Sequence, residues 1–178
     1  MDHAFGLDVP ETLEEVCTPR RTALLVYDMQ VGVVSQIVSG SVITERVAAV
    51  LDAARTGGYR VVFTRHMSLP NEIAGVSQLR TAKLWQHAVR AADTVPPFLR
   101  DSPAFPIVPE LAPRPSEAVL DKISMSAFVG TPLDMMLRDA GLDSFVIAGI
   151  ALEVGIEPTV RHATDLGYMP ILVTDACG

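Results

Sequence analysis

Cysteine is nearly absent: Cys17 and Cys177 are the only two in 178 residues. Two are too few for a disulfide framework, and neither stands at a metal-ligand spacing. The reading is a pair of free thiols in a cytoplasmic protein. Basic residues are also scarce, 14 Lys and Arg against 21 Asp and Glu, for a net charge of −7. A nucleic-acid partner would want a basic face instead. No apolar run approaches a membrane span. The opening MDHAFGLDVPETLEEV is acidic and lacks the apolar stretch of a signal peptide. The chain is therefore expected to engage neither nucleic acid nor a membrane.

What is present is material for a core. Hydrophobic residues make up 49% and charged residues 20% of the chain, with a mean hydropathy of +0.32, and the length suits one domain. Residues 1–21 read as a polar, turn-rich arm with Pro10 and Pro19, and 22–178 as the domain proper. Thr22 to Tyr27, TALLVY, is a continuous apolar run of the buried parallel-strand type. Ser41 to Arg55 is predicted helical, with Val47, Val50, Leu51 and Ala54 at i, i+3, i+4 and i+7, and Gly57-Gly58 ends it. Arg60–Thr64 is a second strand. Ser77–Ala92 reads as a helix carrying the one Trp, Trp85. Seven prolines between Pro96 and Pro115 then force loop, and ordered loops of that length often cover sites.

Ala118–Lys122 is a third strand, and Thr131-Pro132-Leu133-Asp134 opens a helix with a capping residue and a first-turn proline. Ser144–Ala148 is a fourth strand. It breaks at Gly149, and a helix follows from about Gly155 to Leu166. Met169–Thr174 is a fifth strand. Strands alternating with helices predict an α/β fold with a parallel sheet and right-handed crossovers.

Three strand ends carry candidate chemistry. Asp28 closes the first strand, where partial desolvation suits a carboxylate to proton transfer, although a loop-capping Asp has the same pattern. Lys122 closes the third, where a snorkelling surface lysine is the ordinary alternative. At the fourth, FVIAGIALEVGIEPT brings a tight turn and a helix start together, the place where open α/β sheets put their chemistry.

These motifs together resemble the isochorismatase-like hydrolases, also called cysteine hydrolases. LLVYDMQ matches the family's strand followed by Asp-Met-Gln. DKISMSAFVGTPLDMML matches its strand, Lys, Ser-Ala-Phe and Thr-x-Leu helix start. Gly149, Ile150, Ala151, Val154, Ile156 and Thr159 match its third motif. One landmark departs: the nucleophilic cysteine's position holds Gly155, which has no side chain to attack with. The resemblance spans residues 20–176. It implies a three-layer α/β/α fold with strand order 3-2-1-4-5-6. The sixth strand is not in this chain, so the domain is expected to be truncated at its C-terminal end. It also implies a non-proline cis peptide at Ile150-Ala151.

The resemblance further implies that Asp28 is a general acid and that Lys122 holds Asp28 or polarises a substrate oxygen. Gly155 is expected to leave space and free backbone N–H groups beside the substrate. Family members without the cysteine hydrolyse a vinyl ether, with the aspartate as acid and water adding to the oxocarbenium. Gln30, His66, Trp85 and Phe128 are candidate pocket walls, with Ile150, Ala151, Glu153 and Thr159 beside them. Glu153 and Glu157 could aid a water or simply complement the helix dipole. Thr64 stands where a metal-binding relative would have Asp, so no metal is expected, and no other cofactor is implied.

The expectation is a cytoplasmic, homo-oligomeric hydrolase adding water to a small polar substrate by Asp/Lys acid–base chemistry. A vinyl ether is the first choice and a C–N bond the second. The alternative is an inactive small-molecule-binding relative, in which Asp28 and Lys122 would stand apart or the site would be plugged.

Overall fold

The computed structural model describes residues 1–178. The first segment is more ordered than an arm. β1 (Asp2–Ala4) and β2 (Leu7–Val9) pair as an antiparallel hairpin, followed by a one-turn helix, α1 (Leu13–Val16). The hairpin turns through Phe5 and Gly6, both at positive φ. A three-residue strand has too little apolar alternation to be read from sequence.

TALLVY is β3 (Thr22–Tyr27), and all its residues are buried. A strand buried on both faces needs partners on both edges and cover on both sides. After the short turn α2 (Val31–Val34), α3 (Gly40–Thr56) covers one face with Ile43, Val47, Leu51 and Ala54. β4 (Arg60–His66) returns parallel to β3 and runs two residues past Thr64. The helix expected over 77–92 is shorter, α4 (Val76–Trp85). Beyond it the Gln86 carboxamide donates to the Val95 carbonyl and accepts from its N–H, both at 2.9 Å, folding the intervening residues into loop.

β5 (Ala118–Lys122) pairs with β4, and α5 (Leu133–Asp139) starts just after Thr131, whose hydroxyl accepts from the Leu133 N–H. β6 (Ser144–Gly149) pairs with the other edge of β3. The next helix begins earlier than Gly155: a π-helical turn, Leu152–Ile156, runs directly into α6 (Glu157–Asp165). β7 (Met169–Cys177) extends three residues past Thr174.

The five-stranded sheet has the order β5-β4-β3-β6-β7, parallel throughout. This is the expected 3-2-1-4-5 arrangement, with a layer on each face. Leu24 and Val26 pack toward α3, while Ala23, Leu25 and Tyr27 pack toward α5 and α6. No helix is long and apolar enough to cross a membrane.

The proline-rich segment is anchored rather than loose. Gln30 bridges Ile107, the Val31 N–H donates to the Pro106 carbonyl at 2.9 Å, and the Val108 N–H donates to the Met29 carbonyl at 2.9 Å. The fully buried Gln30 carboxamide donates to the carbonyls of His66 (3.0 Å) and Phe105 (2.9 Å) and accepts from the His66 N–H (2.6 Å). Its polar atoms are thus spent on backbone. Gln30 is a brace between the ends of β3 and β4 and the cover, and it is not among the residues lining the cavity above those strand ends, where sequence suggested a pocket wall. Gln30→Ala would strand three buried backbone groups, and is expected to lower stability by about 2–4 kcal/mol in urea unfolding.

Candidate active site

The carboxyl ends of β3, β4 and β5 meet at one buried ion pair. Asp28 follows β3 with φ +46°, a left-handed conformation that Asp tolerates better than most residues. Its Oδ2 accepts from Lys122 Nζ at 2.7 Å and its Oδ1 from the Thr64 hydroxyl at 2.6 Å. The Lys122 ammonium also donates to the Ser124 carbonyl at 3.2 Å and lies 4.3 Å from the Tyr27 ring centroid. Side-chain exposure is 1% for Lys122 and 8% for Asp28, so neither is a surface residue. Burial pushes the Lys122 ammonium below its ordinary pKa, and the Asp28 carboxylate pulls it back up. His66 is depressed by burial and by Lys122, with Asp28 opposing, so its imidazole is neutral at pH 7.

A cavity of about 310 Å³ opens over this pair. Asp28, Lys122, Gly155, His66, Trp85, Ile150, Ala151 and Glu153 all line it. The Ile150-Ala151 peptide is cis, as the resemblance implied, and the Ala151 N–H makes no hydrogen bond within the protein. Two further candidates lie elsewhere. Phe128 is packed among Phe145, His162 and Tyr168. Thr159 is fully buried, donating to the Gly155 carbonyl at 2.6 Å and accepting from the Ala127 N–H at 3.0 Å. Both are packing residues behind the cavity wall. No group of three or more His, Cys, Asp or Glu side chains is placed to hold a metal.

Gly155 requires the largest correction. It leaves neither open space nor a free N–H. Its N–H donates to the Ala151 carbonyl at 3.0 Å within the π-helical turn. A Cβ built on it would lie 2.5 Å from two ring carbons of Tyr27 and closer still to the Tyr27 hydroxyl. The phenol of β3 therefore occupies the volume that a side chain at 155 would need. The hydroxyl donates to the Met125 carbonyl, tying strand to loop. Burial first, then the Asp28 charge, raises the Tyr27 pKa far beyond neutrality, so the phenol is protonated. Gly149, at φ +139°, is needed for a similar reason: a Cβ there would sit 2.9 Å from the Tyr27 carbonyl carbon.

Neither cysteine lines the cavity. Cys177 pairs with Gly149 on β7 and Cys17 follows α1. Burial raises both thiol pKa values, so neither is an activated thiolate. Sequence reasoning missed Tyr27, Met125 and Phe98 as lining residues. Only the Tyr27 position carried a signal: alternation with Ala23 and Leu25 puts it on the α6 side of β3.

The isochorismatase domain model matches residues 22–178. The chain belongs to the isochorismatase family. It is thus a hydrolase by family. It is 30% identical over 172 residues to the ureidoacrylate amidohydrolase RutB of Methylorubrum extorquens, covering 87% of this chain and 68% of that protein. An uncharacterized isochorismatase family protein, YwoC of Bacillus subtilis, is 44% identical over 69 residues, 39% of this chain and 36% of YwoC. Among solved structures, a cysteine hydrolase from Pseudomonas syringae superposes with a TM-score of 0.77 at 26% identity, covering 92% of this chain and 75% of that one. An isochorismatase family protein from Desulfovibrio vulgaris gives 0.72 at 30% identity, covering 89% and 82%.

The contact between Tyr27 and Gly155 can be tested by a double-mutant cycle. Gly155→Ala is expected to cost about 1–3 kcal/mol by overpacking. Tyr27→Phe should leave that penalty in place, because the ring carbons remain. In a Tyr27→Val background the same substitution should be close to neutral. Equal penalties in all three backgrounds, read by chemical denaturation, would contradict the packing described.

Proposed function

We propose that this isochorismatase-family protein hydrolyses its substrate by direct addition of water, with Asp28 and Lys122 as the proton-transfer unit and no covalent enzyme intermediate. The observation that carries the reading is the buried Asp28–Lys122 contact of 2.7 Å in a cavity whose nucleophile position is filled by a protonated phenol. The pair is together and faces the cavity, unlike a site that has drifted apart. Burial lowers the energetic gap between the ion pair and its neutral form, Asp28 carboxyl with Lys122 amine.

A vinyl ether is the first-choice substrate. The Asp28 carboxyl protonates the vinyl carbon, which leaves an oxocarbenium ion. Water adds to the cationic carbon and returns a proton to the carboxylate. The hemiketal then collapses to a carbonyl compound and an alcohol. A ureide or amide is the second reading, favoured by the activity named for RutB and by the free Ala151 N–H. There the Asp28 carboxylate takes a proton from the attacking water, Lys122 and the Ala151 N–H steady the oxyanion, and the Asp28 carboxyl returns that proton to the nitrogen as the tetrahedral intermediate collapses and the C–N bond breaks. In both readings His66, Trp85, Ile150, Ala151 and Glu153 are substrate-contacting walls.

We place the protein in the cytoplasm as a homo-oligomer acting on a small molecule. Supporting assembly are exposed apolar side chains on the hairpin (Phe5, Leu7) and around α4 (Ile73, Val76, Leu84, Val89).

Turnover in a screen of vinyl ethers, amides and ureides should survive iodoacetamide and fall by about 10²–10⁴-fold or more in Asp28→Asn. Loss of turnover on stoichiometric alkylation of Cys177 or Cys17 would establish a displaced thiol nucleophile and end the water-addition reading.

A further inference from the structure

A second and larger chamber, about 620 Å³, adjoins the reacting cavity. The two share Gln36, His66, Trp85, Phe98 and Met125 as walls, so they lie side by side. α4 makes the outer wall, through residues such as Gln78 and Ala82. The combined space is more than a small substrate needs at the Asp28–Lys122 pair.

The lining of the outer chamber is chemically selective. No Asp, Glu, Lys or Arg side chain lines it, although 20% of the chain is charged. Its one titratable wall, His66, is held neutral at pH 7 by burial and by Lys122. At the shared mouth stand two aromatic side chains, Trp85 and Phe98, with the Phe98 ring edge-on to His66 at 5.9 Å. Two carboxamides add acceptors, Gln36 on the shared wall and Asn71 in the outer chamber alone. Asn71 donates its amide N–H to the Thr94 carbonyl at 2.7 Å and Gln36 donates to the Gly32 carbonyl at 2.6 Å, which leaves their oxygens for a ligand N–H or O–H. An anionic group would meet no cation among the lining side chains; Arg100 stands outside the lining, with its Nε against the Met67 sulfur at 3.1 Å. A flat, neutral group would gain aromatic contact and hydrogen bonds.

We propose that the outer chamber binds a neutral, planar substituent of the substrate, an aryl or amide-bearing group carried outward from the bond broken at Asp28–Lys122. This deepens the reading of that pair as the reacting centre and rests on it. The substrate is thereby an uncharged ether or ureide with a bulky flat extension, and small dicarboxylates or other compact anions are disfavoured.

Titration calorimetry on the intact protein at neutral pH, with phenylurea and 4-ureidobenzoate as probes, tests the assignment. Phenylurea is expected to bind at least about tenfold more tightly than the anion. Trp85→Ala should weaken phenylurea about fivefold or more, and Trp85→Phe should restore most of the loss. Gln78→Lys, which sets an ammonium in the wall, should narrow or reverse the preference against 4-ureidobenzoate. The proposal is overturned by equal or tighter binding of the anion to the unaltered protein, by no measurable phenylurea binding, or by insensitivity to Trp85→Ala. The readout needs no turnover. Failure of the Asp28–Lys122 chemistry would show in the turnover screen, and failure of the neutral-extension assignment would show here.

Discussion

The buried contact between Asp28 and Lys122 is the constraint on which the site depends. It ties the end of β3 to the end of β5 across β4, with Thr64 of β4 bonded to the other carboxylate oxygen. Side chains from three neighbouring strands therefore converge on one point at the carboxyl edge of the sheet. Removing either charge would leave the other buried and unpaired, which costs roughly 3–5 kcal/mol in comparable pairs. The lysine has further support from the Ser124 carbonyl and the Tyr27 ring. An ammonium so placed is held in position but stripped of water, a setting that eases proton movement between the two groups.

Around that pair, Tyr27 and Gly155 are complementary. The strand supplies a large side chain and the turn after β6 supplies none, so phenol and glycine share one volume. This arrangement accounts for a glycine at 155 better than an empty slot does. A vacancy would admit water or a substrate group; a protonated phenol excludes both and joins β3 to the Met125 loop. It also narrows the chemistry, because the ionisable groups left lining the cavity besides the phenol are the Asp28–Lys122 pair, His66 and Glu153, none of them a thiol. The nearest thiol by position, Cys177, faces the Ile147 carbonyl at 3.9 Å and lies outside the cavity wall.

Much of the fold was legible because parallel strands buried on both faces leave unbroken apolar runs, and TALLVY and SFVIAG are such runs. The strand order followed from the family resemblance and agrees with the observed pairing. Asp28 and Lys122 were legible as polar residues ending apolar strands. What sequence could not give was the direction in which side chains spend their polar atoms. Gln30 looks like a pocket wall until its carboxamide is seen bonded to His66 and Phe105 backbone. Phe128 sits next to the lysine motif in sequence but joins an aromatic cluster on the α6 side. Gly155 looks like open space in the sequence because the residue that fills it, Tyr27, is 128 positions away in the chain. Local patterning names the strand and its face, while the crossing of two distant segments decides what meets what.

The most direct test of the account is the mass of the intact protein quenched during turnover of whichever vinyl ether or ureide it hydrolyses fastest. Direct addition of water leaves the enzyme chain at its unmodified mass at every time point, including the first turnover. A substrate-derived adduct that forms and decays with turnover, on Tyr27, Cys177 or any other side chain, would contradict it.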